Sequence, residues 1–376
     1  MKGASRYMKI ICTKSDLLHG VNTVSKAIPS RTTMPILECI LIDATAGSIK
    51  LTANDMELGI ETIVKGDILE RGKIAIDAKI FFDIIRKLPD SEVSLETDNN
   101  FVANIVCEKS HFTIAGKAGD DFSYLPFIEK DKFIELSKFS LKEVIRQTIF
   151  SIADNESSNK VMSGELFEVN ENNLRVTSLD GHRLSLRNIE LKNFYDKIKV
   201  IVPGKALTEI SKILSGEAEE YVNIFFTDNH ILFEFDDTKV VSRLIEGDFF
   251  KIDQMLSKDY STKVTINKKE FLDCIDRSML FVKEGDKKPI IVNITDGSLE
   301  IKINSALGSM NEQIDIAKEG KDIMIGFNGK FLMDALRVID DEEITIYLMN
   351  SKAPCFIRDD EDNYIYLILP VNFSNY

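Results

Sequence analysis

Residues capable of acid–base or nucleophilic chemistry come closest together in the middle of the chain, in Ser178-Leu-Asp-Gly-His-Arg-Leu-Ser185. Asp180 and His182 could act as an acid–base pair, with Ser178 or Ser185 as the nucleophile. Only proximity in sequence supports this, and the glycine between the pair is typical of a turn. The four histidines lack metal-ligand spacing, and no phosphate-binding glycine motif is present. We therefore expect no catalytic residues, no metal and no cofactor.

The composition restricts the possible partners. The chain has 47 basic and 61 acidic residues, a net charge of −14, which argues against a general nucleic-acid binder. A surface that meets DNA would therefore be a local exception. No run of about 18 apolar residues is present, and the first eight residues lack the apolar core of a signal peptide. We expect a cytoplasmic protein without a membrane partner.

The cysteine pattern predicts reduced and buried thiols. The five cysteines are widely scattered, and none of them belongs to a C-x-x-C pair. An odd, dispersed set of this kind favours free thiols over disulfides or a zinc site. The residues are Cys12, Cys39, Cys107, Cys274 and Cys355.

A length of 376 residues predicts two or three domains, and an internal repeat of about 125 residues favours three. In each third, a short apolar strand and a small turn precede a lysine and an amphipathic helix. The lysines are Lys79, Lys205 and Lys330, spaced by 126 and 125 residues. The predicted helices cover residues 78–88, 204–214 and 329–339. Three unrelated domains would not be expected to keep this spacing.

The first half of each third also repeats. Helices are predicted over residues 15–27, 140–152 and 268–281, with Ser15 or Asp16 and Ser140 as N-caps. Around the helices, polar and apolar residues alternate in short runs such as 48–52, 173–177 and 230–235, which predicts antiparallel hairpins. Each third is therefore expected to be an α+β unit of two helices and roughly eight strands.

Four local sequences occur in order along this repeat and carry a family resemblance. They are Arg31-Thr-Thr-Met-Pro-Ile-Leu37, the 178–185 segment, Leu244-Ile-Glu-Gly-Asp-Phe-Phe-Lys-Ile252 and Tyr366-Leu-Ile-Leu-Pro-Val371. Together they resemble the β subunit of bacterial DNA polymerase III, the sliding clamp, from about Met8 to Phe373. The resemblance implies three tandem DNA-clamp domains at residues 8–130, 131–257 and 258–376, after an N-terminal extension of residues 1–7. Each domain would have two helices plus antiparallel sheets, and a head-to-tail dimer would complete a ring.

The resemblance implies a processivity factor that encircles duplex DNA and performs no chemistry. Twelve helices of ~10 Å diameter side by side enclose a clear hole of ~28 Å, wide enough for a duplex and a layer of water. One chain supplies half of such a wall, so two copies are needed. Implied partners are DNA of any sequence, a second copy, the DNA polymerase III alpha subunit, a clamp loader and other clamp-motif peptides.

The predicted inner-wall helices are net basic within an acidic chain, as weak attraction to phosphates requires. For any single residue, a solvated helix face is the alternative. The threefold recurrence of the lysines favours proximity to DNA, and Arg31 falls where the family has a DNA-facing arginine. The predicted DNA-facing residues are Arg31, Lys79, Arg86, Lys142, Arg146, Lys205, Lys212, Arg277, Lys330 and Arg337.

The resemblance also implies an apolar groove for partner peptides between the second and third domains. Its predicted residues are Met162, Gly181, His182, Arg183, Leu184, Met255, Asn328, Phe331, Leu367, Ile368, Leu369, Pro370 and Val371. Phe250 and Gln254 depart from the family pattern of proline and arginine, which puts peptide preference in doubt. His182 and Arg183 could instead be a buried pair bracing a turn, and the last strand an ordinary core strand.

The implied contact between two copies joins Phe112 and Ile114, on an edge strand of the first domain, to Leu280 and Phe281 of the third. Pairing the edges would hide backbone groups that an open edge exposes. The alternative for these residues is ordinary core within a domain. A repetitive scaffold without a role on DNA is a third class of function, which the basic helices disfavour.

Overall fold

A computed structural model of the chain describes residues 7–154, 159–215, 219–283, 285 and 288–373. Most of the predicted N-terminal extension, residues 1–6, lies outside the described residues. Within the described part there are six α-helices, at the positions where the repeat predicts them. They are α1 (Lys14–Val24), α2 (Ala78–Lys87), α3 (Lys138–Thr148), α4 (Gly204–Ile213), α5 (Lys268–Met279) and α6 (Gly329–Val338).

Twenty-four strands are found in the same part of the chain, nine before residue 130, six in the middle third and nine in the last. The first nine are β1 (Lys9–Thr13), β2 (Cys39–Asp43), β3 (Ile49–Asn54), β4 (Leu58–Val64), β5 (Asp67–Glu70), β6 (Lys73–Asp77), β7 (Glu92–Thr97), β8 (Val102–Cys107) and β9 (Ser110–Ala118). The next six are β10 (Phe133–Ser137), β11 (Gly164–Leu179), β12 (Arg183–Pro203), β13 (Tyr221–Phe226), β14 (His230–Phe235) and β15 (Thr238–Arg243). The last nine are β16 (Thr262–Asn267), β17 (Ile290–Thr295), β18 (Ser298–Ser305), β19 (Gly308–Asp315), β20 (Ala317–Gly320), β21 (Ile323–Phe327), β22 (Glu343–Leu348), β23 (Cys355–Arg358) and β24 (Tyr364–Ile368).

The helix starts differ from the predicted caps. Thr13, the last residue of β1, caps α1 by accepting a hydrogen bond from the Asp16 N–H, so Ser15 and Asp16 were the wrong predictions. Ser140 was also wrong, because α3 begins at Lys138 and Ser140 lies inside its first turn. The physical reason is common to both sites. Helices α1, α3 and α5 each follow a strand without a loop, and at α1 and α5 the cap is the strand residue directly before the helix, Thr13 and Asn267.

The chain divides into two compact units that do not coincide with the three repeats. The first unit comprises residues up to Lys138 together with Lys212–Leu244, and the second comprises Phe139–Ser211 and residues from Ile245 onward. The middle third is shared because its strands extend two different sheets by backbone pairing. In the first unit β15 pairs with β4, and in the second β12 pairs with β24, both antiparallel.

The first unit is built on one sheet of 13 strands in the order β10-β13-β14-β15-β4-β3-β2-β6-β9-β8-β7-β1-β5. Helices α1 and α2 pack against each other, and α1 also lies on β3 and β4. Their apolar faces supply fully buried side chains, among them Leu17, Val21, Phe81 and Ile85. The exposed positions of the two helices are polar apart from Ile80 of α2.

The second unit contains a sheet of seven strands, β11-β12-β24-β23-β22-β16-β20, and a sheet of four, β19-β18-β17-β21. A large buried cluster joins α5 and α6 to both sheets, with Phe271, Leu332 and Tyr366 among its members. A smaller cluster around Leu166, Leu184 and Leu367 lies on the other face of the seven-stranded sheet. This second cluster forms the floor of the candidate site.

The five cysteines are all buried and free, as predicted. In the described part of the chain, no helix is long and apolar enough to cross a membrane.

Candidate functional site

The second unit carries a groove of about 480 Å³ at the hairpin end of β11 and β12. Its lining comes from the turn between these strands, from β23 and β24, and from the segment that precedes β16. The lining residues are Met162, Leu179, Gly181, His182, Arg183, Leu184, Phe250, Gln254, Met255, Ser257, Asp259, Met349, Ala353, Pro354, Phe356, Leu367 and Leu369. A volume of this size is typical of a ligand-binding cleft.

Strand register builds the floor of the groove. Leu184 of β12 pairs with Leu179 of β11 on one side and with Leu367 of β24 on the other. Leu367 in turn pairs with Phe356 of β23. Directly paired residues project to the same face of a sheet, so these four side chains form one apolar row across four strands. All four are buried, and they give the groove a rigid base.

The upper edge of the groove exposes apolar surface to water. Met255 is 46% exposed and Leu369 is 39% exposed, although both side chains are largely apolar. Met255 directly follows a short 3₁₀ turn, Ile252–Gln254, and lines the same groove as the floor residues. Exposed apolar side chains above a buried apolar floor can accept the side chains of a peptide, and methionine adapts to different shapes.

Arg183 is engaged within the protein and leaves little for a ligand. Its Nε donates to Asp180 at 2.9 Å and its Nη1 to Asp334 of α6 at 2.7 Å, while Nη2 donates to the Phe150 carbonyl oxygen. The guanidinium also lies 4.2 Å from the centre of the Phe331 ring. Burial opposes its charge, but the Asp334 hydrogen bond and the nearby negative groups outweigh this, and the pKa of Arg183 is raised.

His182 is exposed at the turn, and its backbone rather than its ring fixes the neighbouring strand. Its N–H donates to the Asp180 carboxylate at 2.9 Å, and its carbonyl oxygen accepts from the Leu369 N–H at 2.9 Å. Gly181 permits this turn because its φ is +87°, a region that other residues rarely adopt. The imidazole stacks against Phe331 with ring centres 6.2 Å apart.

The serines, aspartate and histidine weighed as a catalytic set do not converge. Ser178 Oγ donates to the Thr148 carbonyl oxygen and Ser185 Oγ to the Gln147 carbonyl oxygen, both in the protein interior. Asp180 is occupied by the turn and by Arg183. Among the described residues, no three His, Cys, Asp or Glu side chains cluster as they would around a metal ion.

Eight of the thirteen predicted groove residues meet in the lining, and five do not. Ile368 is fully buried in the core cluster, and the Asn328 side chain caps α6 by accepting from the Lys330 N–H. Phe331 lies behind the groove, where it contacts Arg183 and His182. Pro370 and Val371 lie outside the lining, and the Val371 N–H donates to the Gly326 carbonyl oxygen.

Sequence reasoning missed one wall of the groove. Met349, Ala353, Pro354 and Phe356 lie on or before β23, the neighbour of β24 in the sheet. The signal available was the hairpin itself, because a turn-rich segment at 359–363 separates two apolar runs. This hairpin pattern predicts that β23 pairs with the last strand, β24, and therefore lies beside the groove.

Nine of the ten predicted DNA-facing residues lie on helices, and Arg31 lies in the loop that precedes β2. Lys79, Lys205 and Lys330 each occupy the second position of α2, α4 and α6, and all three are exposed. Arg31, Arg86, Lys212, Arg277 and Arg337 are also exposed, whereas Lys142 and Arg146 are partly buried. Several of these cations have acidic neighbours, since Arg86 pairs with Asp83, Arg146 with Glu143 and Asp340, Arg277 with Glu312, and Arg337 with Asp276.

Two strands present unpaired edges. Among the described residues, positions 110–115 of β9 pair with β8 alone, because β6 joins β9 from Gly116 onward. Phe112 in this segment is 38% exposed, and Ile114 is buried. In the second unit, β19 is the last strand of its sheet and pairs only with β18.

The residues after α5 lie beside the free edge of β19. Leu280 is 76% exposed, the largest exposure among the leucines and isoleucines of the described chain. Phe281 lies against Gly308, the first residue of β19, where an added Cβ would come within 2.9 Å of its ring. Phe112 and Ile114 therefore lie on one open edge, and Phe281 lies against the first residue of the other.

The family models for the DNA polymerase III beta subunit match in order along the chain. The N-terminal domain model matches residues 8–126, the central domain model residues 135–251 and the C-terminal domain model residues 253–372. The Staphylococcus aureus protein named beta sliding clamp is 36% identical over 362 residues, which cover 93% of this chain and 96% of the relative.

Two solved structures share the fold over nearly the whole chain. The DNA polymerase III beta subunit structure from Eubacterium rectale has a TM-score of 0.94 at 68% identity, covering 97% of this chain and 100% of that one. The DNA polymerase sliding clamp of Bacillus subtilis has a TM-score of 0.94 at 33% identity, covering 98% and 100%.

Proposed function

Because this chain belongs to the family of the DNA polymerase III beta subunit, the bacterial sliding clamp, we propose that two copies close head to tail into a ring around duplex DNA. Its function is that of a DNA sliding clamp for polymerase processivity, and it catalyses no reaction itself. The ring works in the cytoplasm, where bacterial DNA is replicated. The observation that carries the proposal is the threefold recurrence of one exposed lysine at the second position of α2, α4 and α6.

The lysines explain how an acidic protein can hold DNA without binding it tightly. Lys79, Lys205 and Lys330 supply weak attraction to phosphates that does not depend on base sequence. Their neighbours on the same helices reinforce it, but the ion pairs of Arg86 and Arg337 with adjacent carboxylates reduce their share. Weak attraction of this kind permits sliding, because retention comes from the closed ring and not from affinity.

The open edges explain how the ring closes. Residues 110–115 of β9 in one copy pair with β19 of the other, so that both edges complete their backbone hydrogen bonds. Phe112 and Ile114 then meet Leu280 and Phe281, which buries the exposed leucine. The contact joins different surfaces of identical chains, and a rotation that closes after two copies gives a ring instead of a filament.

The groove explains how the ring holds its partners. Short peptides of the DNA polymerase III alpha subunit, the clamp loader and other clamp-binding proteins place apolar side chains on the row formed by Leu179, Leu184, Phe356 and Leu367. Met255 and Leu369 close over them. One groove in each copy lets a polymerase and a second protein share the same ring.

Retention on circular and linear DNA tests the ring directly. The protein is loaded with a clamp loader and ATP onto a nicked circular plasmid, and the same plasmid linearised is the matched control. We expect retention on the circle through a high-salt wash and loss from the linear form through its ends. Equal retention on both forms would show ordinary binding and would overturn the proposal.

A further inference from the structure

The lining of the groove includes one acidic side chain that forms no ion pair among the described residues. The ionisable residues of the lining are His182, Arg183 and Asp259. The Arg183 guanidinium is engaged by Asp180, Asp334 and a carbonyl oxygen. Asp259 is exposed, and it forms no ion pair within the described residues. Its carboxylate accepts a long hydrogen bond of 3.5 Å from the Ser257 Oγ, and the same Oγ accepts from the Asp259 N–H at 3.1 Å.

Two cations of the same region form ion pairs with another carboxylate. Lys258 pairs with Asp362 at 2.6 Å and Arg358 pairs with the same carboxylate at 3.6 Å. Arg358 also donates to the Ser257 carbonyl oxygen and lies 4.4 Å from the centre of the Phe356 ring. Arg358 therefore links the segment that carries Asp259 to Phe356 in the floor of the groove.

The rest of the lining offers no balancing positive charge. Gln254 is neutral, and the remaining wall residues near Asp259 are apolar or carry only hydroxyl groups. Lys160, Lys251 and Lys352 are exposed and close in sequence to lining residues, but they do not belong to the lining. Asp259 is therefore the one carboxylate that a bound peptide meets in the described lining, and Arg183 is not free to attract an acidic peptide.

We propose that Asp259 makes the groove selective for apolar peptides with a lysine or arginine at the residue that lies over Ser257 and Asp259, against peptides with an acidic residue there. This inference rests on the proposed function of the groove as the site for partner peptides. Charges at the rim of an interface decide between partners more than they add affinity. An exposed ion pair contributes little, so the preference for lysine over glutamine is about two- to fivefold.

Peptide binding measured by fluorescence anisotropy tests the inference. The probes are labelled synthetic peptides with one leucine and one phenylalanine anchor in a neutral background, in which a single Lys, Gln or Glu is moved along the non-anchor positions. Each is titrated with the full-length protein and with Asp259→Asn, Asp259→Lys and Asp341→Asn variants. Asp341 is exposed and lies outside the lining, so its variant controls for the loss of one negative charge.

We expect one peptide position at which lysine binds two- to fivefold more tightly than glutamine, and glutamate less tightly, in the wild type and in Asp341→Asn. The differences in affinity among the three peptides should disappear in Asp259→Asn, and their order should reverse in Asp259→Lys. Two results would overturn the selectivity while leaving the peptide groove intact. In one, the neutral peptide binds but lysine, glutamine and glutamate peptides have equal affinities; in the other, their affinities differ in the wild type and differ equally in Asp259→Asn. If no peptide of the series binds the wild type, the peptide groove itself is wrong.

Discussion

The Arg183 guanidinium and the Asp334 carboxylate form an ion pair of 2.7 Å that joins β12 at the groove to α6. Both side chains are largely buried, and Arg183 lies against the ring of Phe331, also on α6. The side chain predicted to line the peptide groove is thus also a brace between a strand and a helix. The two alternatives weighed for Arg183 are compatible, because its backbone and stem border the groove while its charge faces inward.

Removing one partner of this pair should be costly. We expect Arg183→Met to lower the free energy of unfolding by about 3–5 kcal/mol, since it leaves the Asp180 and Asp334 carboxylates without their cation. Asp334→Asn alone should cost less, because the Arg183 guanidinium keeps its ion pair with Asp180. The double variant should cost less than the sum of the two. The matched control is Arg187→Met, whose ion pair with Asp359 is longer and more exposed and should cost less than about 1 kcal/mol. Urea denaturation measures all four, and strictly additive costs would contradict the coupling.

Glu165 should make the stability of the second unit depend on pH. Its carboxylate is fully buried on β11, and burial, only partly offset by the Thr148 hydroxyl, raises its pKa from 4.5 to about 8. An acid with a raised pKa in the folded state contributes stability that is complete below its unfolded pKa and is lost as the pH rises through the folded value. Between pH 4.5 and 8, the free energy of unfolding of Glu165→Gln should therefore rise relative to that of the wild type, by up to about 1.4 kcal/mol per pH unit.

Thermal and urea unfolding from pH 5 to 8.5 would measure this difference. The matched control is Glu168→Gln, which removes a glutamate of the same strand that is only partly buried and pairs with Lys199. A constant difference between Glu165→Gln and wild type over the whole range would show that Glu165 does not titrate there.

Leu280 should be required for the ring. The proposed ring predicts a dimer for the wild type, and we expect Leu280→Asp to sediment as a 42.5 kDa monomer, because a charge would replace the exposed leucine in an apolar contact. The variant should keep its circular dichroism and melting profile, since the residue is exposed in the single chain. Leu369→Asp, in the groove, is the control and should remain dimeric. A dimeric Leu280→Asp variant would remove this residue from the interface.

The three repeat lysines should set the salt dependence of DNA binding. Replacing Lys79, Lys205 and Lys330 together by alanine should weaken binding equally for all sequences and lower the slope of log affinity against log salt by about one for each phosphate that a lysine no longer neutralises. A triple variant at Lys65, Lys109 and Lys352, which are exposed and lie outside the helices, is the charge-matched control. If the slope of log affinity against log salt is unchanged in the repeat-lysine variant but changed in the control, DNA does not contact the surface that carries the three repeat lysines.

Local patterns were sufficient to predict the helices, the alternating strands and the repeat. An amphipathic helix needs apolar residues at intervals of three and four, which makes it easy to predict. Helices α2, α4 and α6 repeat this pattern, each with a lysine at its second position. The turn at Asp180-Gly181 was also readable, since glycine supplies the positive φ that the turn requires. Membership of the clamp family followed from motifs of the same local kind.

Tertiary structure decided what depends on pairing between distant strands. The wall formed by Pro354 and Phe356 exists because β23 pairs with β24, and the division of the middle third follows from the pairing of β15 with β4 and β12 with β24. The inward orientation of the Arg183 charge depends on Asp334, 151 residues away. Local sequence specifies which segments form strands, but the register between remote strands is selected by burial of their shared faces, which appears only in the folded chain.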